Sequence, residues 1–488
     1  MSNLNKVTIN KSKLLECLDI AENLPDTPKG EIEITENGTY NIAEYANATV
    51  NVVGDDLTDI IEEQEALIGE LKEIVSKKAG VAVSKAPKDV NFYDYDGTLL
   101  HSYTVEQAQE LTELPELPTQ LGLICQGWNW SLEDIKAHNR AVDVGATYIT
   151  DDGKTRLYIS IAAEGRMTVP LRFQQSIANG VTLDWGDGSA TETFSGSNIY
   201  ISHTYASIGD YVISLEVTSG TLGLGVGSQN YCVMGGSGDS GLVYCNMLRK
   251  VEIGSGVEDT LRAFSFMYCM SLESVTIPNG LTNISEYVFS HCFSLRSVVM
   301  PNTVSFIGDR VFHNCYSLAR IVMPNSVTSI GAYLFYHCLS LASIVIPNRV
   351  TDIKNDMFSY CQTITSIAIP DSVTSIGSTS FGYCYSLNNI TIPDGVTSIA
   401  DSTFNYCQTI TSIAIPDSVT SIGGYAFYNC KGIAFYDFTA CTSVPTLSAT
   451  SAFQSNSSDC EIRVPAALYD DWIAATNWST YASQIVAV

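Results

Sequence analysis

The chain has 488 residues and a formal net charge of −27, with 25 Lys plus Arg against 52 Asp plus Glu, which leaves no electrostatic footprint for nucleic acid or an anionic bilayer. Only 16% of residues are charged and 45% are hydrophobic, which excludes wholesale disorder. Ser, Thr, Asn, Gly and 26 tyrosines replace the missing charge, the composition of a multidomain, mainly β chain with a neutral, aromatic-studded surface and not of a metabolic enzyme.

In chain order, Met1 to Lys11 is polar and no apolar run follows it, so neither a signal peptide nor a membrane-inserting segment is expected. No anchor is recognisable at Gln484 to Val488. Residues 1–54 are expected to form an attachment region containing a β-hairpin element, Gly30 to Val53. Residues 55–79 carry a heptad with Ile61, Ile68 and Val75 at a and Leu57, Gln64 and Leu71 at d. Ile60, Leu67 and Ile74 add a second apolar row, and this wide seam predicts a trimeric coiled coil and hence a parallel homotrimer. The other reading is a single amphipathic helix on a globular domain.

Residues 88–159 are expected to form a small α+β domain. Its text Asp94-Tyr-Asp96-Gly-Thr98 resembles the nucleophile loop of haloacid-dehalogenase-like phosphatases, but Pro-interrupted text follows it and no alternating strand-helix run. A hairpin with an Asp-Gly turn explains the same letters, so no catalytic residue and no cofactor is assigned. Residues 160–219 read as a β-sandwich with Trp185 in its core and Gly186-Asp187-Gly188 as a turn. Asp184 and Asp187 lack the further acidic ligands that a calcium site needs, so no metal is assigned. This text resembles PKD-type immunoglobulin-like modules. A Gly-rich stretch, 220–244, is expected to be a linker, the other reading being an irregular cap.

From residue 245 to 440 the chain repeats every 23 residues. Cys269, Cys292, Cys315, Cys338, Cys361, Cys384, Cys407 and Cys430 mark the period, with Phe three residues before each and Leu or Ile three after. Pro recurs nine residues after the Cys through Pro416, and Ile fifteen after through Ile422. Such a period predicts a β-solenoid whose stacked coils bury Phe, Cys and Leu in ladders, with the cysteines as small apolar packing residues. The unit resembles the BspA-type bacterial leucine-rich repeat. Tyr360 to Gly377 recurs letter for letter as Tyr406 to Gly423, and residues 441–488 break the pattern and read as a C-terminal cap.

The slots flanking each ladder Cys vary. Tyr268, His291, Phe293, Tyr316, His337, Tyr360, Tyr383, Tyr385 and Tyr406 are expected to line a surface stripe suited to sugar rings or to a protein partner. The text of 89–159 and of 30–53 resembles small domains that recur in tail and minor structural proteins of phages. Those resemblances imply a virion protein, a tail fibre docked on other tail or baseplate proteins through its N-terminal region. It would touch a host surface glycan or protein through the solenoid. The other reading is a secreted or cell-surface bacterial adhesin.

Overall fold

The structure, a computed structural model, describes residues 89–138, 140–175, 180–225, 232–235 and 242–488. The attachment region 1–54 and the heptad helix 55–79 lie outside the described residues.

The hairpin expected at Asp94 to Thr98 is present. Strands β1 (Val90–Tyr93) and β2 (Leu99–Tyr103) pair antiparallel across it. Gly97 supplies the positive φ, and the Asp94 N–H donates to the Thr98 carbonyl at 2.9 Å. Helix α1 (Val105–Glu110) starts at a capping box of Thr104 and Gln107. Strand β3 (Leu123–Trp128), helix α2 (Leu132–His138) and strand β4 (Val142–Thr150) complete the domain, whose sheet order is β2-β1-β4-β3.

Strand β4 is buried along nearly its whole length because each of its faces is covered. Val142, Val144, Ala146 and Tyr148 enter the domain's own core with Val90, Phe92 and Trp128. The alternate residues face the solenoid, as period 2 dictates. Asp143 accepts from Arg320 at 2.8 Å, Gly145 abuts the Val299 side chain, and Thr147 donates to Asn279 at 3.4 Å. Asn129 and Trp130 seal the contact by donating to the carbonyls of Met300 (2.8 Å) and Met323 (3.0 Å). Burial raises the Asp143 pKa even though the Arg320 guanidinium opposes that shift.

Strands β5 (Thr155–Ile161), β6 (Thr168–Gln175), β7 (Val181–Asp184), β8 (Glu192–Phe194), β9 (Gly196–Thr204), β10 (Gly209–Val217) and β11 (Leu222–Leu224) build two facing sheets around Trp185. The larger sheet does not stop at the domain. Strand β12 (Leu248–Glu252) pairs antiparallel with β5 on one side and parallel with Ser274–Thr276 of the solenoid on the other. The sandwich is therefore the N-terminal cap of the coil stack. The linker expected over 220–244 is corrected towards the other reading, an irregular cap, since β11 joins the smaller sheet and Leu222, Leu224, Val233 and Met234 are buried in the common core. These apolar residues stand among the glycines and need cover. The sandwich likewise begins at Thr155 and not at 160, because β5 is its shared strand.

Each solenoid coil contributes a two- or three-residue strand such as Ser297–Val299, a Pro turn, and a two-residue strand such as Phe306–Ile307. Pairing between coils is parallel in a 23-residue register, Ser297 against Arg320 and Phe306 against Ser329. One apolar core runs unbroken from the sandwich through the coils to Ile485. It ends where Glu461–Val464 and Ile485–Ala487 add final parallel strands. Beside them, Trp472 of helix α3 (Tyr469–Ala474) and Trp478 pack on Phe438 at 4.9 and 5.6 Å. These residues cover the last apolar face, as a cap must.

Filling the space at Gly145 should loosen the docked α+β domain without unfolding the solenoid. In Gly145→Val the new side chain meets Val299, an overpacking cost of about 1–3 kcal/mol. Trp130 fluorescence should shift to the red while the main unfolding transition stays. An unchanged Trp130 environment would count against this interface.

Candidate functional site

The corner that carries Phe and Cys is the chemically distinctive part of each coil. Its Phe rings stack face to face from Phe266 to Phe427, 5.3–5.7 Å apart, and Phe453 of the cap continues the column at 5.3 Å. The cysteines add a directional bond to this packing. From Cys292 to Cys430 each thiol donates to the carbonyl of the Phe 26 residues back, as Cys292 does to Phe266 at 3.2 Å and Cys361 to Phe335 at 3.1 Å. The same carbonyl also accepts the N–H of its own coil's Cys, so both of its lone pairs are used. Burial pushes these thiols up, Cys361 to about 12, and leaves them inert.

The residue just before each Cys is left-handed: Tyr268, His291, Asn314, His337, Tyr360, Tyr383, Tyr406 and Asn429 have φ of 59–63°. Four residues earlier stands a second left-handed column, Phe264, Tyr287, Arg310, Tyr333, Asp356, Thr379, Ser402 and Tyr425. For residues with a Cβ this conformation costs about 1–2 kcal/mol each. Coil-to-coil bonds hold it, the Tyr360 N–H donating to Gly382 and the Tyr383 N–H to Asn405.

In the structure the stripe residues lie half-buried and stacked on one another. Tyr268 lies 4.5 Å from His291, and Phe293 stacks on Tyr316 at 4.6 Å. Tyr360, Tyr383 and Tyr406 stack at 4.3 and 4.8 Å, while His337 meets Tyr360 edge-on at 4.4 Å. Asn314 interrupts the column, and His313 and Tyr336 bridge the gap: His291 to His313 is 5.2 Å, His313 to Tyr336 is 5.1 Å, and Tyr336 to His337 is 4.6 Å. The rings thus offer solvent mainly their edges, with each face largely spent on the next ring. Arg310 lies over Tyr333 at 4.2 Å and extends the aromatic surface sideways. His313, Tyr336 and the second left-handed column were not among the expected site residues. The 23-residue period aligns their slots, but those slots hold rings in only some coils.

The other candidate centres resolve into local structure. Asp94 accepts from Tyr95 N–H (2.8 Å) and Gln120 (2.6 Å), and Asp96 from Thr98 N–H (2.9 Å), as hairpin carboxylates do. Asp184 and Asp187 accept the N–H groups of Gly186 and Ser189, and Asp187 also meets His203 at 2.6 Å. Those hydrogen bonds hold the Asp187 carboxyl down at about 2. Cys232, Cys245 and Cys269 bring their sulfurs within 4.8 Å of one another at the sandwich–solenoid junction, with Cys232 and Cys245 joined as a disulfide. This leaves one buried thiol and no set of three thiolates for a metal. Among the described residues no helix is long and apolar enough to cross a membrane.

Comparison with known proteins identifies the repeat. Residues 238–365 and 353–469 match the BspA type leucine rich repeat region family, in six copies across the chain. No curated protein matches the sequence. Among solved structures, a leucine rich repeat protein of T. pallidum is 29% identical, covering 38% of this chain and 83% of that one, with a TM-score of 0.30. A leucine rich cell surface protein of Faecalibacterium prausnitzii is 25% identical (45% and 74% covered, TM-score 0.27). A leucine-rich repeat protein of Bacteroides ovatus is 22% identical (56% and 79% covered, TM-score 0.37). No catalytic family is indicated.

Two outcomes are expected. In the native protein the ladder thiols should resist a thiol reagent that labels all of them after denaturation; rapid native labelling of Cys361 would contradict their burial. Desolvation holds the His313 imidazole down at about 4, against 6.5 for the ordinary side chain. Protons taken up between those values favour the unfolded chain, so this contribution is complete above about pH 6.5 and is lost as pH falls towards 4. Thermal unfolding should show that loss, and His313→Asn, which places there the residue found in the equivalent slot at Asn405, should flatten it. An identical pH profile in the variant would remove His313 as the cause.

Proposed function

From a chain whose residues 238–469 form a BspA-type leucine-rich repeat region, we propose a non-enzymatic binding protein that attaches a phage virion to a bacterial surface. The solenoid makes the contact. The observation that carries this reading is the ring stack, a linear aromatic surface held in left-handed slots where the backbone cost is offset only by coil-to-coil bonds and by the stacking itself. Rigid, half-exposed Tyr edges give contact area and hydrogen-bonding hydroxyls at little entropic cost. The virion assignment rests on the phage-like text of 30–53 and 89–159, and the sandwich is read as a PKD-like spacer. The heptad of Leu57, Ile61, Gln64, Ile68, Leu71 and Val75 supports a homotrimer, with the region before it docking on a tail or baseplate protein.

A second reading, a bacterial surface adhesin, draws on the same repeat match. Proteomics separates the two, since a fibre protein co-purifies with virions and an adhesin with cell envelopes.

Substituting Tyr383→Asn and Tyr406→Asn tests the binding face without new backbone strain, because Asn314 and Asn429 occupy the same left-handed slot. Adsorption of the full chain to bacterial cells should fall at least tenfold while the unfolding temperature moves by only a few degrees. Unchanged adsorption would overturn the assignment. Solution mass should equal three chains, and a monomer would remove the coiled-coil reading.

A further inference from the structure

The distal coils carry a second regularity, with a period of two coils. Tyr360-Cys361-Gln362 and Tyr406-Cys407-Gln408 open the two identical 18-residue segments, and Tyr383-Cys384-Tyr385 lies between them. Along the axis, the slot after the ladder Cys therefore reads Gln362, Tyr385, Gln408. The two glutamines are exposed, and their amides make no hydrogen bond among the described residues. Tyr385 is half-buried and stands edge-on to Tyr383, 6.3 Å away at 83°. The corner beneath is fixed. Thr363 donates to the carbonyls of Leu339 and Leu341, and Thr409 to those of Tyr385 and Leu387.

Equivalent rings on neighbouring coils of this corner lie 4.3–5.7 Å apart, so the identical amides, two coils apart, recur about every 9–11 Å along the stack. None of the nine residues in the three tripeptides is charged, in a chain of net charge −27. An uncharged row with amide and ring alternating at that spacing suits a ligand that is itself linear, neutral and periodic. An extended β-1,4-linked glycan has these properties. Each sugar advances by close to one coil, and the disaccharide, in which alternate rings are flipped, repeats by close to two. A folded protein partner has no such period.

We propose that Gln362, Tyr385 and Gln408 form a linear site for an uncharged β-1,4-linked polysaccharide lying along the solenoid axis, in register with its disaccharide repeat. One sugar packs against Tyr385, and its two neighbours exchange hydrogen bonds with the amides of Gln362 and Gln408. The proposal rests on the reading of the ring-bearing corner as the binding face, and it names the ligand class of that face.

The test is calorimetric titration of the full chain with chitobiose, chitotetraose, chitohexaose and cellohexaose, with α-1,4-linked maltohexaose as the curved control. Affinity for at least one β-1,4 series is expected to rise tenfold or more from dimer to hexamer, with maltohexaose bound at least tenfold more weakly. Gln362→Ala with Gln408→Ala should abolish the gain with length and leave the unfolding temperature unchanged. Tyr385→Leu, which inserts the residue found in the same slot at Leu339, should weaken every β-linked ligand. Length-independent binding, equal binding of maltohexaose, or no binding of either β-1,4 hexamer would overturn the proposal. Cell adsorption tells that failure from a failure of the parent reading. If no hexamer binds but Tyr383→Asn still lowers adsorption, the corner binds a surface ligand of another kind. If Tyr383→Asn has no effect either, both readings fall.

Discussion

The 23-residue register between coils is the constraint on which the rest of the molecule depends. It is held at one corner by two columns side by side, the stacked Phe rings and the thiols that donate to the Phe carbonyls of the preceding coil. The Phe column contributes by area, since loss of one buried Phe costs about 3–5 kcal/mol. The Cys column contributes by fit and direction. A side chain that small and apolar can sit at zero exposure and still occupy a carbonyl lone pair. Serine would place a strongly hydrated hydroxyl in the same dry position, and alanine would leave the lone pair unused.

That inward regularity dictates what happens outside. Turning the chain through the corner requires two left-handed residues per coil, and the register then places every such residue directly above its counterpart. Large rings in those slots have no choice but to stack. The aromatic column is thus a by-product of packing that becomes a surface with a fixed repeat. Strain spread over the coils is tolerated because the same N–H groups bond to the next coil, so each coil braces its neighbour. For the proposed binding role, a surface built this way is rigid in advance, which would limit the entropy lost on contact.

The ladders, the Pro turns and the C-terminal cap were legible in the amino-acid sequence because each is a local pattern repeated many times. The hairpin at Asp94 to Thr98 was legible from turn chemistry. The docking of the α+β domain on the solenoid was not read, because it joins residues as distant as Asp143 and Arg320 and no local pattern announces a long-range contact. Two traces of it are nonetheless present. The outward strand slot is Val at 299, 322 and 345, near or beneath the domain, and Ala, Thr and Ala at 368, 391 and 414, where it is exposed. Strand β4 also carries a single charged residue, Asp143, which Arg320 pairs, and is otherwise uncharged on both faces, in keeping with a strand covered on both sides. The Gly-rich stretch left linker and irregular cap both open, since glycine frequency suggests a linker while Leu222, Leu224, Val233 and Met234 determine its burial. Among the site residues, the stripe was read from the slots beside Cys. His313 and Tyr336 were missed because their slot holds rings in only some coils, and their role in bridging Asn314 exists only in three dimensions.

The register itself can be measured by deletion. Removing Thr363 to Tyr385 takes out one whole period, whereas removing Thr363 to Cys384 takes out one residue fewer and throws every ladder beyond it out of line. Thermal unfolding followed by circular dichroism should show a single cooperative solenoid transition for the 23-residue deletion, within several degrees of the intact chain. The 22-residue deletion should lose that transition. If the two deletions unfold alike, the register does not hold the structure together.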